Sequence, residues 1–112
     1  MIDREVGLEY CAGSEEIYRE VLEAYCEEGP AYLQKMKEYQ AQKDWKNYSV
    51  VVHTIKSNAK TIGALELSEA AKEQEMAAKS GDEETISAKW EQVYSAYQAA
   101  LEEVKNMLEE EN

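Results

Sequence analysis

Residues 82–108, DEETISAKWEQVYSAYQAALEEVKNML, decide the fold class. Their apolar side chains Ile86, Trp90, Val93, Tyr97, Ala100, Val104 and Met107 recur at alternating intervals of four and three, which keeps them on one side of an α-helix for about six turns. Such a stripe is ordinary bundle core rather than a cofactor box, because a helix with one apolar face must lay that face on something.

Outward from this segment, shorter stripes repeat the pattern. Ile17, Val21, Ala24 and Tyr25 form one; Leu33, Met36 and Tyr39 a second; Tyr48, Val52, Ile55, Ala59 and Ile62 a third; Leu67, Ala70, Ala71, Gln74 and Ala78 a weaker fourth. Gly13, Gly29-Pro30, Gly63 and Gly81 punctuate the chain, and Ser14, Asp44 and Asp82 have the short side-chain oxygens that cap orphan N–H groups at helix starts. The spacing predicts helices beginning near residues 15, 30, 45 and 83, one over the stretch that follows Leu67, and a short helix near residues 3 to 10. Connections this short make successive long helices antiparallel. The expected fold is therefore all-α, an up-and-down antiparallel four-helix bundle with a short additional N-terminal helix, in one domain spanning 1–112.

Composition agrees. Helix formers dominate the 112 residues, there is one Pro, and Tyr takes the aromatic role in the absence of Phe. A net charge of −12 argues against nucleic acid and anionic membrane as partners and favours a protein partner. No apolar run approaches the length of a membrane span, and residues 1–5 have neither a basic nor an apolar leader pattern, so the expected location is the cytoplasm. Cys11 and Cys26 have no CxxC spacing and no companion histidines, so no zinc site or disulfide framework is expected. A carboxylate-bridged di-iron bundle needs two Glu-x-x-His pairs; here there is one histidine, with Val50 three residues before it.

That histidine, His53, is the chemically informative residue. On a helix over Asp44–Ile62 it lies roughly 140° from the middle of the Tyr48–Val52–Ile55–Ala59–Ile62 stripe and so faces solvent. Lys46, Ser49, Lys56, Ser57 and Lys60 share its side at spacings of three, four and seven. Residues 43–60 carry 1 acid and 4 bases, inside a chain of 24 acids and 12 bases. Spacing alone does not separate a functional basic face from a solvated one.

Residues 53–64, HTIKSNAKTIGA, resemble the signature of the histidine-containing phosphotransfer (HPt) family: His-[Ser/Thr]-Leu-Lys-Gly, a small-residue stretch, then hydrophobic-Gly-Ala. The resemblance extends to Ile2-Asp3 with Gly7-Leu8, to Ile17–Leu22 and to Leu67–Gly81. One departure is Ser57, where the family usually has Gly; it adds a hydroxymethyl group one turn from His53 and bears on efficiency or partner choice.

The resemblance implies that His53 accepts a phosphoryl group from a receiver-domain aspartyl phosphate and passes it to another receiver. A free imidazole, with a pKa of about 6.5, is largely unprotonated at cytoplasmic pH and can attack. It further implies Lys56 as the cation on the phosphoryl oxygens, and Lys46, Ser49, Ser57 and Lys60 as docking residues, the serines by being small rather than nucleophilic. The implied partners are receiver domains and a sensor histidine kinase, with Mg²⁺ supplied by the receiver, no cofactor held by this chain, and a monomer. No GxxxxGK[ST] or GxGxxG loop is present, so no ATP-dependent kinase activity is expected. A polar side chain from the helix after the histidine often orients its other nitrogen in this family; Gln74 and Glu75 are both available, and neither is assigned to the site here. The alternative is a degenerate scaffold that docks a receiver or kinase without accepting phosphate.

Overall fold

The computed structural model describes residues 2–110, all of whose regular structure is helical. Five helices follow in order: α1 (Arg4–Tyr10), α2 (Glu15–Gln42), α3 (Trp45–Ile62), α4 (Leu65–Ser80) and α5 (Glu83–Glu110). Two-residue connections join α2 to α3, α3 to α4 and α4 to α5, and they fold these helices into an antiparallel bundle. The α3–α4 interface is the most extensive, and α1 lies across one end against α2 and α3.

Local chemistry sets the boundaries. Ser14 accepts the Ile17 N–H at 3.2 Å, Asp44 accepts the Asn47 N–H at 3.3 Å, and Asp82 accepts the Thr85 N–H at 3.1 Å, each closing an orphan donor in a first turn. Gly63 ends α3 with φ +91°, a left-handed cap that suits glycine. Its carbonyl accepts the Asp3 N–H at 2.8 Å, and an added Cβ would fall 2.0 Å from the Asp3 carbonyl oxygen, so the backbone ahead of α1 and the end of α3 meet only because the residue is glycine.

The core follows the expected stripes in α3, α4 and α5: Tyr48, Val52, Ile55, Ala59, Ile62, Leu67, Ala71, Ile86, Val93, Tyr97, Ala100 and Val104 are all buried. Two expectations for the second helix are corrected. Gly29-Pro30 does not separate two helices, because α2 continues through Pro30 to Gln42. Packing overrides local propensity here: Gly29 is buried where α2 approaches α5, and an added Cβ would lie 2.5 Å from the Leu101 side chain, so the glycine serves close approach rather than termination.

The buried face of α2 is also shifted by one residue. It runs Tyr18, Leu22, Tyr25, Gly29, Leu33, Met36, while Ile17 stays 48% exposed and Ala24 faces solvent. Tyr18 can occupy this face because its hydroxyl donates to the Ile62 carbonyl at 2.9 Å, which satisfies a polar atom that burial would otherwise penalise.

Candidate functional site

The packing of α3 on α4 fixes which side chains meet. The Ser68 hydroxyl donates to the Lys56 carbonyl at 3.0 Å, and the buried Tyr48 hydroxyl donates to Gln74 Oε1 at 2.5 Å. These two cross-ties, one on each side of His53 along α3, hold α4 in the register that brings Glu75 beneath the imidazole. Gln74 thus belongs to the core, where its amide also donates to the Thr85 carbonyl at 3.4 Å.

His53 stands out from α3 with 56% of its side chain exposed, and its Nδ1 lies 2.7 Å from Glu75 Oε2. Glu75 is the centre of the arrangement. Although its side chain is only 6% exposed, Lys56 donates to Oε1 at 2.7 Å and Lys79 donates to Oε2 at 2.9 Å. Burial on its own would raise the carboxyl pKa; hydrogen bonds from Lys56, then Lys79, then His53 outweigh it and hold the group down at about 2. Glu75 is therefore ionised at neutral pH and can only accept hydrogen bonds.

That charge state determines the histidine tautomer. An acceptor-only carboxylate at 2.7 Å requires the proton on Nδ1, so a neutral ring keeps its lone pair on Nε2. The arrangement can therefore present an aromatic nitrogen nucleophile. It also places a buried negative charge against the opposite ring nitrogen, where positive charge develops when Nε2 attacks an electrophile.

A groove of about 580 Å³ opens beside the ring, and its lining brings His53, Lys56, Ser57 and Lys60 together with Leu65 and Lys72. Lys46 and Ser49 lie outside that lining, toward the start of α3, where the Ser49 hydroxyl bonds back to the Lys46 carbonyl at 2.8 Å. Ser57 is exposed, so its hydroxymethyl group displaces nothing in the bundle. Lys56 is 26% exposed, and its ammonium is occupied by Glu75 rather than free.

Sequence reasoning named Glu75, with Gln74, as available to orient the ring but left both out of the site, and it missed Lys79 and Lys72 altogether. A signal for Glu75 did exist. It lies four residues after Ala71 and three before Ala78, on the buried face of α4, and an acid at such a position must find cations.

Among the described residues no group of three or more His, Cys, Asp and Glu side chains is placed to hold a metal ion, and no helix is long and apolar enough to cross a membrane. Comparison with protein families matches the Hpt domain over residues 20–110, which takes in the greater part of α2 and all of α3, α4 and α5. Neither the curated proteins nor the solved structures give a match.

Proposed function

Because this chain belongs to the Hpt domain family, whose members carry out histidine phosphotransfer in phosphorelays, we propose that His53 is its phospho-acceptor, taking a phosphoryl group from a receiver-domain aspartyl phosphate and passing it to a second receiver. The observation that carries this reading is the contact between His53 Nδ1 and Glu75 Oε2 at 2.7 Å, made by a ring that remains more than half exposed.

In the accepting step the Nε2 lone pair forms the N–P bond as the bond between phosphorus and the aspartyl oxygen breaks, and that electron pair returns to the receiver's carboxylate. The ring gains positive charge and keeps its proton on Nδ1, where Glu75 offsets the charge without a change of geometry. The donating step is the reverse: a second receiver's carboxylate attacks phosphorus, and the N–P electron pair returns to Nε2. Little covalent chemistry is asked of the protein, so positioning and electrostatics supply most of its contribution.

Lys56 is the cation assigned to the phosphoryl oxygens. Its ammonium already sits one helical turn from His53, and Glu75 holds it until an incoming dianion competes for it. Ser57 and Lys60, from the groove, and Lys46 and Ser49, beyond it, form the docking face. The receiver brings the Mg²⁺, this chain holds no cofactor, and the domain acts as a cytoplasmic monomer supplied through a sensor kinase pathway.

The test is incubation of the purified domain with phosphorylated receiver domains and Mg²⁺, followed by mass analysis. The reading requires one acid-labile, alkali-stable phosphoryl group on His53 and none on a His53→Gln variant that retains its fold. Stable binding of receivers with no label under any condition would favour the degenerate docking module instead.

A further inference from the structure

We infer that Lys72, on α4, is a second-wall docking determinant that works with Lys60 to bind the acidic surface of the receiver; this deepens the proposed phosphotransfer reading and rests on it. The lysines around His53 fall into two groups. Lys56 and Lys79 are tied to Glu75 at 2.7 and 2.9 Å, so their charge is committed to the imidazole's surroundings. Lys60 and Lys72 line the groove from opposite walls, one on α3 and one on α4. Both are exposed, and neither has a carboxylate within ion-pair distance among the described residues.

Uncommitted charge of this kind serves a partner. An ammonium already in an ion pair gains little from a new carboxylate, whereas an unpaired one in a groove offers its whole field to whatever enters. With Lys56 committed to Glu75, the lining sets one acid, Glu69, against Lys60 and Lys72, so the local balance is still positive in a chain whose net charge is −12. Leu65, 41% exposed in the same groove, adds an apolar contact that a charged partner surface alone would not need. An approaching protein with carboxylates placed around a small apolar contact is the occupant this surface fits. Such complementarity acts mainly on encounter and affinity, not on the chemical step.

The experiment is phosphoryl transfer from a phosphorylated receiver to His53, with KM and the saturating rate measured separately for wild type, Lys72→Glu, Lys72→Gln and Lys72→Arg. Lys72→Glu, which turns one attraction to the partner into a repulsion, raises KM by about tenfold. Its saturating rate and the lifetime of phosphohistidine stay at wild-type values, Lys72→Arg restores KM, and Lys72→Gln lessens the salt dependence of KM. A Lys72→Glu domain that labels on His53 with a KM within twofold of wild type overturns the inference and leaves the proposed function standing. A wild-type domain that takes no label from any receiver overturns the proposed function and the inference with it.

Discussion

Glu75 and His53, 22 residues apart on adjacent antiparallel helices, share a contact of 2.7 Å between a buried carboxylate and an exposed ring. A charge-assisted hydrogen bond of this kind is worth roughly 1.5–3 kcal/mol, which converts to about 10- to 100-fold in a rate that depends on it. Glu75→Gln keeps an acceptor for Nδ1 but removes the charge, and it should slow single-turnover transfer by about tenfold. Glu75→Ala removes both and should slow it by about 100-fold. Equal, small effects from the two variants would show that the carboxylate has no part in the transfer step.

Lys56 and Lys60 differ in what holds them. Lys56 is engaged by Glu75 beside the imidazole, and Lys60 stands in the groove with no carboxylate in ion-pair distance among the described residues. Lys56→Ala should therefore lower the saturating rate of transfer, by about tenfold for one cation on the phosphoryl oxygens, while Lys60→Ala should leave that rate within about twofold and act on KM. Matching losses in the saturating rate at both positions would remove the distinction between them.

Acid stability offers a test independent of any partner. Glu75 titrates at about 2 in the folded chain, against 4.5 for an unperturbed carboxyl. A depressed folded value means that the stabilisation is complete above about pH 4.5 and is lost as pH falls from there toward 2. The difference corresponds to about 3 kcal/mol. Urea midpoints for wild type should fall across that window, and those of Glu75→Gln should fall by distinctly less. Superimposable pH profiles would mean that Glu75 gains nothing from its contacts with Lys56, Lys79 and His53.

Pro30 sits inside a continuous helix, where it has no N–H to give to the preceding turn. Its side chain is exposed, so replacing it disturbs no packing. Pro30→Ala should stabilise the domain by about 1–2 kcal/mol, the restored hydrogen bond and helix propensity being partly offset by a more flexible unfolded chain. Chemical denaturation checks this, and a lower midpoint would contradict an unbroken α2.

Much of this architecture is legible in the sequence, and the parts that are not have definable physical reasons. The stripes of α3 and α5 give the buried faces and the outward direction of His53, because a single helix period suffices to place side chains around one axis. Gly63 and Gly81 read correctly as helix ends, whereas Gly29-Pro30 does not, since close approach to Leu101 is a tertiary demand that local propensity cannot express. Tyr18 and Leu22, rather than Ile17 and Val21, form the core face of α2. Hydropathy alone ranks a tyrosine below an isoleucine and does not know that the Ile62 carbonyl is waiting for its hydroxyl.

The site divides in the same way. His53, Lys56, Ser57 and Lys60 sit on one helix and are brought together by spacing. Glu75, Lys79 and Lys72 come from α4, and only the register of α4 on α3 places them near the ring. Counting charge along the chain finds the basic window of residues 43–60 but dilutes the α4 lysines among the acids around them.

Everything proposed for this site depends on His53 accepting phosphate. The most direct measurement is the intact mass and peptide map of the domain after exposure to phosphorylated receivers with Mg²⁺. A single phosphoryl group on His53 is expected, stable in alkali, lost in acid, and absent from His53→Gln. A phosphoryl group on any other residue, or receivers that bind and retain their phosphate while His53 stays unmodified, would contradict it.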